Sequence, residues 1–570
     1  MDKSQVIQIL EEFATLLELK SENPFKVRAF QNAARALETH AQDLKSLIES
    51  GELEKIKGIG KGISHVIHEL YEKGFSQDHK DLRKGFPDSL FDLFRVQGLG
   101  AKRIKVLYDK LHIRSLGELE YACKENRLLK LDGFGTKSQE NILKGIEYLK
   151  KSSGKSLLSS ARQESAKLIA YLEKQKGISR IEIAGSLRRS KEIIGDIDIL
   201  VSAADPVKIH TAFIKYPEVE SVLAHGETKS SVALKSGMNC DLRTVTEKEF
   251  PFALQYFTGS KEHNVVVRGL AKDKGFKLNE YGMSKGTRLI PCKDEAEIYS
   301  KLGLNAIPPE VRENTGEIEW VAKNPFPKLI EEKDIRGIFH VHSDESDGNA
   351  SLEAMIERAQ ELGYEYIGIS DHSQSAGYAH GLDSARVKDQ WKRIDALQKK
   401  FKIRIFKGIE SDILGDGALD YPEEILKGFD FVIGSIHSKF NLPENEQTRR
   451  VIRAIENPYL AFVGHPTGRL LLGREGFHLD MEAVLNAAKE NQVVMELNAN
   501  PHRLDLDWRF CRLAKEKGVK LSINPDAHSL AGLEDVTYGV GIARKGWLER
   551  KDVVNTLSAT EMEKYLTGRK

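Results

Sequence analysis

At 570 residues, 40 % hydrophobic and 30 % charged, the chain is too long for one ordinary domain and too evenly mixed for a fibrous or disordered one. No apolar run reaches the roughly 18 residues of a membrane span, and the opening MDKSQVIQILEEFATLLELK places Glu11, Glu12 and Glu18 where a signal peptide would be uninterrupted. The net charge of +1 hides a split: residues 1–300 hold 49 Lys and Arg against 42 Asp and Glu, residues 301–570 hold 37 against 43, and a basic half suits a polyanion.

Up to about residue 152 the apolar residues recur at helical spacing. A short pattern returns three times: IKGIGKGI at 56–63, VQGLGAKR at 96–103 and LDGFGTKS at 131–138. Each is a glycine turn opening a helix that carries Lys or Arg. Glycine permits the tight turn, and the first N–H groups of the next helix are left to meet a phosphate. Gly58, Gly60 and Lys61 of the first copy, and Gly98, Gly100 and Lys102 of the second, are the expected contacts to a nucleic-acid backbone. One copy is equally a packing element; three on a basic segment favour contact with a polyanion. The segment divides into helical regions 1–85 and 86–152. KKSSGKSLLSS at 150–160 reads as a joint.

Strands and helices then mix. RIEIAGS, DIDILVS, SSVALKS and CDLRTVT read as strands, the last two as a hairpin turning at Ser236-Gly237. In DIDILVS, Asp196 and Asp198 share one strand face, where their repulsion calls for a cation. Asp241 on the hairpin is a candidate third carboxylate, and three carboxylates suffice for two Mg²⁺ or Mn²⁺ ions roughly 3.5–4 Å apart. A lone DxD is as often a surface strand end. Here GSLRR precedes it: Ser186 and nearby N–H groups suit a phosphate, Arg189 could bind one in bidentate fashion, and Arg188 reads as solvated charge.

Residues 305–334, broken by four prolines, read as a second joint. Beyond it, apolar strands end at Phe339-His342, Ile369-His372, Ile409-Glu410, Ile436-His437, Val463-His465, Leu497-Asn498 and Ile523-Asp526, with helical segments between. Seven such units predict a parallel (β/α) barrel with its site at the strands' C-terminal ends. HVH sets His340 and His342 on one face. Asp347, His372, Glu410, His437, His465, Asp526 and His528 complete a ligand set without thiols, suited to two or three Mn²⁺, Zn²⁺ or Fe²⁺ ions. Asp371 reads as orienting a ligand; His380, His478 and His502 lie off the strand ends. Cys123, Cys240, Cys292 and Cys511 are widely spaced and suggest a reducing, cytoplasmic setting.

GSLRRSKEIIGDID, DLR, YFTGSKEHNVVVR and IPPEVRENTGEIE resemble family X DNA polymerases, over roughly residues 1–320. The histidine-rich remainder resembles the PHP (polymerase and histidinol phosphatase) domain. The resemblance implies helical helix–hairpin–helix domains, an α+β nucleotidyltransferase palm at 153–255, a thumb at 256–318, a linker at 319–335 and a distorted (β/α)7 barrel at 336–570. It implies that Asp196, Asp198 and Asp241 bind the catalytic metals, and that Gly185, Ser186 and Arg189 hold the triphosphate. Tyr256, Phe257 and Gly259 would line the sugar pocket, Asn264 would meet the incoming base, and Arg268 the template. Tyr256 and Phe257 would otherwise read as core aromatics.

In the barrel the resemblance implies three ions: one on His340, His342, Glu410 and Asp526, a second on Glu410, His437 and His465, the third on Asp347, His372 and His528. The expected activity is gap filling in repair by a monomer acting on gapped or primer–template DNA and deoxynucleoside triphosphates, with no membrane partner. The barrel would supply a metal-dependent 3′–5′ exonuclease or an incision at abasic sites. A template-independent nucleotidyltransferase fused to a phosphoesterase is the alternative; Asn264, Arg268 and the hairpins, which address a duplex, argue against it. An inert DNA-end scaffold would have lost a ligand, and none is missing. Family members with 5′-deoxyribose-phosphate lyase activity carry a lysine in the helix after the first hairpin; here Val66 stands at that place.

Overall fold

The computed structural model describes residues 1, 3–40, 44–96, 99–151 and 154–569; Gly98 therefore lies outside the described residues, as do Ser152 and Ser153 of the first joint. The chain divides into two units, Met1–Cys123 with Leu131–Leu149, and Lys124–Lys130 with Lys150–Lys570.

The first unit is helical. In Lys3–Leu19, Val6, Leu10, Phe13 and Leu17 fall three and four residues apart and are buried together, one face of a 3.6-residue period. They meet the helix Pro24–Thr39, where Phe30 stacks on Phe13 at 4.5 Å. That helix starts where proline is tolerated, and the Asn23 side chain accepts from Phe25 N. Gly58 takes φ +108°, and Gly60 precedes the helix Lys61–Lys73. Gly100 likewise opens Ala101–Leu111, and the third copy, with Gly133 at φ +84°, opens Thr136–Lys151. Lys61 and Lys102 are exposed in the first turns of their helices.

The second unit carries two sheets that matter for chemistry. In the palm, β1 (Ile178–Ile183), β2 (Asp196–Ala203), β3 (Val219–His225), β4 (Lys229–Leu234) and β5 (Asn239–Val245) lie in the order 1-2-5-4-3. Only β2 and β5 run parallel. The β4–β5 hairpin turns with Gly237 at φ +84°. Ile197, Ile199, Val201, Cys240 and Leu242 face one core at period 2, while Leu200 on the opposite face is buried against Phe250, Ala253 and Leu254.

The barrel strands are β6 (Gly337–Val341), β7 (Tyr366–Ile369), β8 (Arg404–Asp412), β9 (Phe431–Ser435), β10 (Leu460–Val463), β11 (Val494–Asn498) and β12 (Leu521–Asn524). All are parallel and in chain order. Their residues are buried almost without interruption, as expected of strands covered on both faces. Phe339, Tyr366, Phe406, Phe431 and Phe462 cluster together. Closure of β12 onto β6 is incomplete. His342 N donates to Ala527 O at 2.9 Å and Ala527 N to His340 O at 3.1 Å. Further down, Asn555 stands in for the ladder, donating to Gly337 O and Ile523 O and accepting from Ile523 N. A side-chain amide carries both a donor and an acceptor, so it can replace a missing strand register; this is the distortion of the barrel.

The second expected joint is not a free linker. Arg312 and Glu317 are buried, Arg312 pairs with Glu295 at 2.5 Å, and Glu317 lies 2.7 Å from His263 Nδ1. Ile330 N donates to Leu548 O at 2.9 Å. Prolines end helices there, but a buried charge with a partner still fixes the path. Arg188 also departs from expectation. Its guanidinium forks onto both Glu295 oxygens, at 2.9 and 2.7 Å, and onto Thr258 Oγ1. Burial works against ionised Glu295, yet Arg312 and Arg188 bring its carboxyl down to about 2.

Candidate metal centres

In the palm, β2 and β5 pair so that Asp198 stands directly opposite Asp241, and Asp196 opposite Asn239. Asp196 is exposed; Asp198 and Asp241 are half-buried. Burial, then Asp196 and Asp241 in turn, push the Asp198 carboxyl up to about 6. Lys229 Nζ lies 2.6 Å from Asp241 Oδ2, and Arg243 acts with it on Asp198, two cations for three acids. The turn before β2 is fitted to the same group. Gly185 takes φ +62°, and a Cβ there would meet Asp198 Oδ2 at 2.0 Å; only glycine fits. Ser186 follows at the start of the short helix Gly185–Arg188, half-buried. The carboxylates and their uncompensated charge fit divalent cations.

Arg189 differs from the reading of it as a triphosphate ligand. It is buried, donates from Nη1 to Thr258 O at 2.5 Å and from Nε to Glu313 at 3.1 Å. It therefore braces the Thr258–Gly259 turn, where Gly259 has φ +71° and an added Cβ would meet Arg189 Nη1 at 3.1 Å. Tyr256 and Phe257 are half-buried and meet edge to face at 5.2 Å, with Arg243 stacked on Phe257. Asn264 is fixed by Gln255 and by its own bond to Tyr256 O at 2.7 Å. Arg268 is exposed on the same helix, Lys261–Asp273.

At the barrel mouth all nine expected ligands come together. The ligand atoms fall into overlapping groups: His342, Asp347, His372 and His528; His340, His342 and Asp526; His340, Glu410 and His465; His372, Glu410 and His437. Glu410 is the hub. His465 Nε2 lies 2.9 Å from its Oε1, His340 Nε2 3.2 Å and His437 Nε2 3.3 Å, while His372 Nδ1 lies 2.9 Å from Oε2. Asp347 is approached by His528 Nε2 at 3.3 Å and by His372 Nε2 at 3.5 Å. Backbone strain concentrates here: His340, His465 and Asp526 all have positive φ.

These residues fit metal ions. His340 Nε2, both ring nitrogens of His342 and His372, both oxygens of Asp347, Glu410 Oε2 and His528 Nε2 are buried without a hydrogen-bond partner among the described residues. Such groups are rare in a folded protein unless an ion or water satisfies them. Burial, with the neighbouring histidines, lowers His342 to about 3; burial, with Arg503, lowers His465 to about 3. Against burial, the carboxylates beside them raise His340, His372, His437 and His528 instead.

Four regions match known families: a helix–hairpin–helix domain at residues 1–75, a SAM-like helix–hairpin–helix tandem at 91–147, the DNA polymerase beta thumb at 253–313 and the PHP domain at 339–500. The DNA polymerase/3′-5′ exonuclease PolX of Bacillus subtilis is 40 % identical over 571 residues, covering 99 % of both chains. The chain belongs to the PolX family. Part of it also resembles smaller proteins. A probable phosphatase of Acetivibrio thermocellus is 32 % identical over 202 residues, covering 33 % of this chain and 78 % of that protein. One from Caldanaerobacter subterraneus is 28 % identical over 246 residues, 41 % and 92 % respectively.

In this PolX-family chain the ligands are themselves held by carboxylates that the sequence reading did not single out. Glu496 Oε1 lies 2.6 Å from His340 Nδ1, and its Oε2 accepts from His465 N at 2.7 Å. Asp412 lies 2.6 Å from His437 Nδ1. Each turns its histidine so that Nε2 faces Glu410. Asp412 stands two residues after Glu410 in β8, and that spacing was the available signal; Glu496 offered only a buried acid in VMELN. Asp371 accepts from Ser343 N, Ser343 Oγ and Gln390 Nε2, none of them a side chain of the ligand set. Of the histidines left aside, His502 is buried, while His380 is exposed.

Proposed function

We propose that the chain fills short gaps in DNA during repair and trims 3′ ends through a second, independent site. The polymerase and 3′–5′ exonuclease activities follow from its family; the gap as substrate and the roles of residues are our reading. The observation that carries it is the relationship to the Bacillus subtilis PolX protein along the whole of both chains. In the palm, Asp196, Asp198 and Asp241 hold two Mg²⁺ or Mn²⁺ ions, and Asp241 helps deprotonate the primer 3′ hydroxyl. The N–H groups at Gly185 and Ser186 cradle the triphosphate, Tyr256, Phe257 and Gly259 line the sugar, Asn264 faces the base and Arg268 the template. In the barrel, the nine ligands hold two or three Mn²⁺, Zn²⁺ or Fe²⁺ ions. When bound, such ions polarise a phosphoryl oxygen and lower the pKa of water.

Gly58, Gly60 and Lys61, with Gly98, Gly100 and Lys102, contact the DNA backbone without reading sequence. The enzyme acts as a monomer in the cytoplasm, a setting that suits four buried free cysteines. A template-independent transferase fused to a phosphatase is the reading to test against, since part of the chain resembles probable phosphatases. One labelled gapped duplex decides it. Wild type should extend the primer to the end of the gap and degrade it without nucleotides. Asp198→Asn should lose extension and keep degradation, and His342→Ala the reverse. Extension of a blunt single strand as fast as of the gap would sink the gap-filling reading.

A further inference from the structure

Two side chains at the barrel mouth have no place in the ligand set. Tyr378 sits in the loop after β7, on the short turn Gly377–Ala379. Its ring lies edge-on to His372 at 6.1 Å and to His437 at 6.3 Å. Its hydroxyl is buried and has no hydrogen-bond partner among the described residues. A buried phenol left unsatisfied costs stability, so a partner absent from the protein itself is implied. The second is Arg127, on the turn Arg127–Lys130. Its guanidinium stacks over the Tyr378 ring at 4.8 Å and reaches within 3.6 Å of Asp347 Oδ2. Neighbours on this segment dock on the same mouth: Glu125 Oε2 lies 2.6 Å from His528 Nδ1, and Lys130 Nζ donates to Ser346 O at 3.1 Å.

A guanidinium is a poor neighbour for several divalent cations. The repulsion is relieved if an anion lies between them, and a phosphodiester is an anion whose oxygens match a guanidinium. We propose that Tyr378 and Arg127 hold the scissile phosphodiester of the strand being degraded, Tyr378 by donating its phenolic hydrogen to a non-bridging oxygen and Arg127 by pairing with the phosphate charge. This rests on the exonuclease reading of the barrel. Hydrolysis puts the hydroxyl of water on phosphorus and breaks the bond to the preceding 3′ oxygen. That oxygen leaves with the electron pair and takes the remaining proton of the water. Tyr378 and Arg127 keep their protons throughout; they orient the phosphate and stabilise its charge. The products are a deoxynucleoside 5′-monophosphate and a strand one residue shorter.

The test uses the full chain with Tyr378→Phe, Arg127→Met and His342→Ala. It reads exonuclease kcat and KM on a 3′-labelled single strand, binding of dAMP in the presence of Mn²⁺ by calorimetry, and bound metal by elemental analysis. Tyr378→Phe removes one oxygen and is expected to lower kcat about 10²-fold, as for loss of one charge-stabilising donor. Arg127→Met is expected to weaken dAMP binding about tenfold and raise KM in step. Both should bind as much metal as wild type, and Tyr378→Phe should fill gaps normally. Rates and dAMP affinity within about twofold of wild type in Tyr378→Phe would overturn the proposal. So would loss of metal from that variant, because Tyr378 would then support ligands instead of substrate. If Arg127→Met fails to fold, Tyr378→Phe decides alone. Degradation that survives in His342→Ala would instead refute the exonuclease reading of the barrel itself.

Discussion

The palm and the barrel both gather negative charge for metal ions, yet they do so in opposite ways. The palm offers three carboxylates, one of them exposed, with Lys229 and Arg243 against them. The barrel buries histidines and acids together around Glu410 and backs His340 and His437 with further carboxylates. A half-open cluster of acids suits ions that arrive with a substrate's phosphates; a buried, braced cluster of imidazoles suits ions that stay. On the proposed reading of the two sites, ligand chemistry and burial would separate transient from resident metals within one chain.

The sharpest way to break that contrast is through Gly185. A methyl group there would collide with Asp198 Oδ2, and the backbone lies where only glycine is at ease. Gly185→Ala is expected to displace Asp198 and lower extension about 10²-fold, the order expected for roughly 1 Å of misplacement. Degradation should be unchanged. Normal extension at saturating Mg²⁺ would show that Asp198 need not stand where it does.

Bracing is tested next. Glu496→Gln keeps the shape of the group beside His340 and removes its charge. The expected result is a loss of barrel metal affinity of about 10- to 100-fold, measured by chelator competition, with extension unaffected. Unaltered affinity would mean that Glu496 serves only the packing of β11.

These two tests also mark where the sequence was legible. Gly185 came only with the family resemblance, whereas Asp198 and Asp241 were legible as candidates because strand periodicity is local. HVH and the acids and histidines at the strand ends were found for the same reason. Glu496 meets His340 across 156 residues, and Arg189 meets Glu313 across 124. Such pairs depend on how elements pack, and no local period announces them. The fate of the proline-broken segment was hidden likewise, because burial of Arg312 and Glu317 is decided by Glu295 and His263. The incomplete closure of the barrel depends on Asn555, well beyond the last strand.

Acidity separates the sites further. Burial and two neighbouring acids hold the Asp198 carboxyl at about 6, above its ordinary value. Below that pH a proton occupies the oxygen that a cation needs. The Mg²⁺ concentration for half-maximal extension should therefore rise about tenfold per unit as pH falls below 6, and level off above it. A Mg²⁺ titration of single-nucleotide insertion at several pH values reads this directly. A flat response across that range would remove the acid cluster as the determinant of metal entry.

The smallest expected signal is one of absence, in the helical unit. Lyase chemistry on a 5′-deoxyribose phosphate needs a primary amine to form an imine with the sugar. Val66, at the place where lyase-active relatives carry lysine, is buried in the core of that unit with Ile63, Ile67 and Leu70. It has no amine and its side chain faces inward. His65 and His68 flank it, but an imidazole does not form this imine. Lys61 is exposed in the first turn of the helix Lys61–Lys73, next to N–H groups that suit a phosphate, so its ammonium is better used as a charge beside the DNA backbone. Borohydride trapping on incised abasic DNA should accordingly give no adduct above background in residues 1–85, while binding to the 5′ side of a gap persists. A strong adduct in that region, lost in Lys61→Ala, would show that this lysine turns from phosphate contact to imine chemistry and that the helical unit is a third active site.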